Sequence, residues 1–114
     1  MKIIGQQGEV NIRKIEAIPA KIGSKPVEVA LGGFIISHSE TGHHHLLTGG
    51  EVMERTDNVP AGMKIFYAIL KEPQSLIQDA AGAHERFDFA PGVYEFRISR
   101  EFNPFTEESR RVAD

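Results

Sequence analysis

The stretch Val93 to Phe102, VYEFRISREF, decides the fold. Tyr94, Phe96, Ile98 and Phe102 share one parity, while Glu95, Arg97, Ser99 and Glu101 share the other. Successive side chains of a strand point to opposite faces, so this pattern describes a strand with one buried and one wet face. Arg100 is the single break in the apolar row. Just upstream, Phe87 and Phe89 alternate with Arg86 and Asp88, and Pro91-Gly92 supplies a fixed φ followed by a permissive residue. The two segments are expected to form a hairpin.

The same alternation recurs roughly every ten residues, with Gly or Pro in nearly every gap, which is the pattern of an antiparallel sandwich or barrel. Met63 to Leu70, MKIFYAIL, is apolar on both parities apart from Lys64, as expected of a central strand covered on both faces. Ile65, Tyr67, Ile69, Tyr94, Phe96 and Ile98 are therefore expected to form much of the core. Val27, Val29 and Leu31 alternate with Glu28 and Ala30, and Gly32-Gly33 allows a tight reversal into Phe34 to His38, a second expected hairpin. Val10 and Ile12 open another strand that ends before Pro19, and Ala20 to Pro26 reads as a loop.

Helix signals are few. Ser75 to Ala83 has room for one turn or two, and Thr106 is a candidate cap for a short helix through Ala113. The expectation is an all-β, mainly antiparallel fold: a small sandwich or barrel with at most one or two short helical turns. Residues 1–102 read as a single β domain. Residues 103–114 read as a C-terminal arm or short helix, set off by Asn103-Pro104, by Phe102 and Phe105, and by mixed charges.

Composition bounds the function. A chain of 114 residues fits one core. Thirteen basic against sixteen acidic side chains give a net charge of -3, which draws the molecule neither to phosphate backbones nor to anionic lipid. Even the arginine-rich end is balanced, with Arg97, Arg100, Arg110 and Arg111 against Glu101, Glu107, Glu108 and Asp114. Nucleic acid and membrane are not expected partners. There is no cysteine, so thiolate ligands, catalytic thiols and disulfides are excluded and any metal or acid–base work falls to His and carboxylates. The longest apolar run, Ile65 to Leu70, is far shorter than the roughly 20 residues of a membrane span. The N-terminus lacks the order of a secretion signal, so a cytoplasmic or virion location is expected.

The chemically unusual feature is His43-His44-His45. If a strand begins after Gly42, His43 and His45 share one face and His44 the other, and a His-x-His pair can grip Zn, Ni, Fe or Cu through neutral imidazole nitrogens. Two ligands are too few for a site. His84 is the first choice for a third, and Glu51, Glu54 and His38 are the other candidates. Two further readings stand beside the metal one: a solvated polar stretch, and a pH switch in which clustered imidazoles repel on charging. Ser37-His38-Ser39 lacks a nucleophile elbow, and strand neighbours face opposite ways, which disfavours a hydrolase. Gly5-Gln-Gln-Gly8 and Thr48-Gly49-Gly50 read as hairpin connections, not phosphate cradles, because no Lys-Ser/Thr follows them.

His43, His45 and Glu51 resemble the first motif of the cupin barrel, His-x-His followed by a Glu, although five residues lie between His45 and Glu51. Pro60-Ala-Gly62 resembles the cupin Pro-x-Gly turn, but Ile65 stands where that motif places a metal-binding histidine. A longer resemblance runs through Gly8-Glu9-Val10, Ser39-Glu-Thr-Gly-His-His-His45, Pro91-Gly-Val-Tyr-Glu95, Arg100-Glu-Phe102 and Arg111-Val-Ala-Asp114, which look like small β proteins of phage and bacterial genomes that share a Gly-His-x-His segment. This implies a compact β domain, and phage membership implies a virion or assembly role. Two functions are carried forward. The first is a non-enzymatic structural β domain, such as a head-decorating or capsid-stabilising protein, that binds protein partners and assembles with copies of itself through its C-terminal segment. The second is a small cupin-like metal-dependent enzyme or metal-binding protein using His43, His45 and His84 with Glu51 or Glu54.

Overall fold

The computed structural model describes residues 2–7, 9–30, 32–38, 44–78 and 86–99. Among them the chain forms ten strands and no helix: β1 (Lys2–Gln7), β2 (Val10–Ile15), β3 (Ser24–Pro26), β4 (Phe34–His38), β5 (His44–Leu47), β6 (Glu51–Arg55), β7 (Met63–Leu70), β8 (Gln74–Gln78), β9 (Phe87–Phe89) and β10 (Gly92–Ser99). They pair antiparallel in two sheets, a larger one in the order β1-β2-β10-β7-β6-β3 and a smaller one in the order β4-β5-β8-β9. The fold is a small all-β sandwich, as the alternation predicts.

β10 lies at the centre of the larger sheet, with Phe96 opposite Ile12 of β2 on one side and Phe66 of β7 on the other. Its Tyr94, Phe96 and Ile98 face inward together with Val10, Ile12, Val52, Phe66, Ala68 and Leu70. The smaller sheet contributes Phe34, Ile36, Leu47, Leu76 and Phe89. Phe89 ties the layers together: its ring centroid lies 4.8 Å from that of Tyr94 and 5.7 Å from that of Phe96, the latter edge-on. Such aromatic contacts stabilise beyond the area they bury.

Several local expectations are corrected. Pro91-Gly92 does not close a hairpin, because β9 pairs with β8 in the smaller sheet while β10 pairs with β2 and β7 in the larger. The turn instead carries the chain across the sandwich, and the Tyr94 hydroxyl pins it by donating to the Ala90 carbonyl at 2.7 Å. Gly32-Gly33 does reverse the chain through two bonds between Ala30 and Gly33, but no hairpin extends from it. The strand before it is β3, inside the expected loop, and it pairs with β6. Thr48-Gly49-Gly50 likewise passes between sheets, and Gly5 to Gln7 lie within β1. Ser75 to Gln78 is extended in β8 rather than helical, since Leu76 is fully buried between Leu47 and Phe87 while Ser75 bonds to Asp88 on the other face.

Of the six residues expected in the core, Ile65, Tyr67, Tyr94, Phe96 and Ile98 are buried and Ile69 is half-buried; Ile65 and Tyr67 lie on the face of β7 opposite Phe66, Ala68 and Leu70. Glu95 of β10 is buried on that same outer face, where Arg97 Nε donates to its Oε1 at 2.9 Å. Residues 79–85, with the end of the expected helical turn, and residues 100–114, with the expected arm, lie outside the described residues.

Candidate functional site

β5 begins at His44, and alternation along it sends His45 and Leu47 inward. β4 has a register shift between Ile35 and Ser37, so that both Ile36 and Ser37 are buried and Ser37 lies opposite His45. A bulge re-aims side chains in this way. Above these strands passes the end of β1. Gly5 lies so close to β9 that a Cβ there would meet Cε2 of Phe87 at 2.3 Å. Two residues on, Gln7 Nε2 donates to the Leu76 carbonyl of β8 at 2.9 Å. The Gln7 Oε1 faces His45 Nδ1 at 2.7 Å, and His45 Nε2 lies 3.3 Å from Oε1 of Glu9, just past the end of β1. The other oxygen of Glu9 accepts a bond from the Ser37 hydroxyl of β4. The N-terminal hairpin thus touches β9, β8, β5 and β4 in turn, and His45 is the buried centre of the contact at 1% exposure.

The geometry fixes the state of the ring. A backbone carbonyl can only accept, so the Leu76 bond orients the Gln7 amide with its oxygen toward His45. Nδ1 must then carry a proton. Nε2 lies 3.3 Å from the Glu9 carboxylate, close enough for an ion pair whenever the ring is protonated. Burial would raise the Glu9 carboxyl, but the Ser37 hydroxyl, its own backbone N–H and His45 together outweigh burial and hold it below the usual carboxylate value. The result is a charged, hydrogen-bonded clasp between hairpin and smaller sheet.

In a hydrolytic triad the imidazole stands between serine and carboxylate. Here the carboxylate stands between Ser37 and His45, so the ring does not receive the Ser37 proton. A metal ligand needs a nitrogen lone pair, and both nitrogens of His45 are directed at acceptors.

The other residues singled out by sequence are placed as follows. His44 is half-buried on the face opposite His45, as expected for that pair. Glu51 is exposed on the outer face of the larger sheet, opposite Ile69, and so is not brought to His45. Glu54 faces the other way on β6, beside Lys25 of β3 at 4.0 Å. The backbone of His38 pairs with that of His44. His43 and His84 lie outside the described residues. Among the described residues no group of three or more His, Asp or Glu is arranged to hold a metal ion.

Sequence reasoning missed Gln7 and Glu9. Both flank Gly8 in what reads as a turn, and their partner His45 lies 38 residues from Gln7. The available signal was the shared parity of His45 and core residue Leu47, which marks a buried imidazole in need of partners. No curated protein and no solved structure matches this chain. A family model described as "Domain of unknown function (DUF8820)" matches residues 6–99, from β1 through β10, and the chain belongs to that family.

Proposed function

We propose that this protein is a non-enzymatic β domain that works by protein contact within a larger assembly. The observation that carries the reading is the engagement of both His45 nitrogens by Gln7 and Glu9. It commits the buried ring of the histidine cluster to holding the two sheets together. Further support comes from the surface. Among the described residues β1 and β4 are the outermost strands of their sheets, and edges are templates for pairing with another chain. Ile3 on β1 is 65% exposed and Val29 66%, large apolar side chains that gain from being covered. The resemblance to phage proteins makes a virion the natural assembly, with the domain decorating or stabilising a head and the C-terminal segment serving as one contact.

The test is sedimentation velocity of the full chain over a wide concentration range, with and without zinc or nickel. Reversible self-association that is indifferent to metal, and weaker when residues 103–114 are deleted, is expected. A strictly monomeric chain that holds one metal ion per molecule, and loses it in His43→Ala, would overturn the reading in favour of the metal site.

A further inference from the structure

The larger sheet extends at its β3 edge into a cleft of about 530 Å³, lined by Lys25, Glu54, Arg55, Thr56, Val59, Gly62, Met63 and Lys64. Three cations line it against one carboxylate, in a chain whose net charge is -3. Asp57, two residues past Arg55, is not among the lining residues, and its carboxylate accepts from the Gly23 N–H at 2.7 Å. Arg55 is held in place, with Nε donating to the Asp57 carbonyl at 2.9 Å and Nη1 to the Tyr67 hydroxyl at 3.1 Å. A guanidinium fixed in this way has lost its side-chain entropy before any ligand arrives, which favours recognition of carboxylates. Lys25 is 4.0 Å from Glu54 and its side chain is largely exposed, so that pair is weak and leaves the ammonium accessible.

The lining is not purely polar. Val59 and Met63 are half-buried and give the cleft an apolar floor beside its cations. All three residues of β3 are exposed, and among the described residues it is the outermost strand on that side of the sheet. The cleft is also shallow and open, which suits a chain segment lying across it better than an enclosed small molecule.

We infer that this cleft docks an acidic, extended peptide segment of a partner protein, with carboxylates on Lys25, Arg55 and Lys64 and an apolar side chain against Val59 and Met63. Charge complementarity is the argument for the occupant. The inference rests on the contact-domain reading above and gives it a partner chemistry.

The experiment is fluorescence anisotropy with the full chain and a labelled synthetic peptide alternating glutamate pairs with leucine. Saturable binding is expected, weakening as salt rises from about 0.01 M to about 0.15 M because the Debye length shortens from about 30 Å to about 8 Å. Lys25→Gln with Lys64→Gln should weaken it about tenfold, or about 1.4 kcal/mol. Lys14→Gln with Lys71→Gln removes the same charge elsewhere and should leave it within about twofold. Equal loss in both double variants means non-specific attraction and overturns the site. Equally tight binding of inorganic pyrophosphate overturns it in favour of a small anion. Tighter peptide binding after Glu107→Gln with Glu108→Gln overturns the partner in favour of this chain's own C-terminal segment. A chain that self-associates but ignores the peptide refutes the cleft and leaves the contact-domain reading standing.

Discussion

Replacing His45 by alanine removes the centre of the clasp, and the structure sets the size of the effect. The ring is 1% exposed, with Nδ1 in a hydrogen bond to Gln7 and Nε2 at 3.3 Å from Glu9. A neutral hydrogen bond contributes about 0.5–1.5 kcal/mol and one to a charged group about 1.5–3 kcal/mol. The two partners respond differently to its loss. Glu9 has a side-chain exposure of 36% and recovers water, so little of its bond is lost outright. Gln7 is 4% exposed, and its oxygen loses a buried partner that water does not readily replace, within the about 1–3 kcal/mol such a loss costs. The net cost is on the order of 2–4 kcal/mol, a large part of the 5–15 kcal/mol typical of a domain. Urea unfolding followed by circular dichroism reads it as a lower midpoint at constant slope. In a double-mutant cycle, His45→Ala and Gln7→Ala should couple by roughly 0.5 kcal/mol or more. A loss below about 1 kcal/mol with no coupling would refute the clasp.

Three further outcomes follow from the same geometry. Phe96→Ala, at 0% exposure beneath the edge of the Phe89 ring, should cost about 3–5 kcal/mol, and a change below about 1 kcal/mol in denaturant melts would show that β10 is peripheral. Gly33→Ala should cost about 1–3 kcal/mol by thermal melt, because the new Cβ would lie 2.5 Å from the Leu47 carbonyl oxygen and backbone cannot give way as a side chain tip does; an unchanged melt would place β4 differently. The Glu9 carboxyl is lowered in the folded state, so on acidification the unfolded chain takes up its proton first; the stability it contributes is present above the unfolded value near 4.5 and fades as pH falls through the lower folded one. Glu9→Gln should therefore flatten the fall of unfolding free energy with acid below that value, whereas an unchanged slope would mean that the carboxylate is not engaged.

The fold class was legible because alternation is a local property: β10, β7 and β2 can be read from their own residues. Which strands pair is not local. Phe87 to Phe89 and Val93 to Ser99 are adjacent in sequence and similar in pattern, yet they belong to different sheets, since a short Pro-Gly link fits a crossover of the sandwich as well as a hairpin. β3 escaped notice because its three residues are all exposed and one is Pro26, which an edge strand tolerates. Tyr67 and Ile65 were expected in the core as apolar residues of a central strand, and they are indeed buried, on the face where Arg55 Nη1 donates to the Tyr67 hydroxyl. The histidine triplet was legible as a feature and its alternation was predictable. Its role was not, because the partners of His45 come from a hairpin of the other sheet, 36 and 38 residues back along the chain.

The most direct test of the central claim is a long-range 1H–15N correlation spectrum of the histidine rings at neutral pH, recorded before and after one equivalent of zinc. The clasp predicts that Nδ1 of His45 carries a proton and that zinc leaves the ring signals in place. An unprotonated Nδ1, or His45 signals that shift when zinc is added, would contradict it.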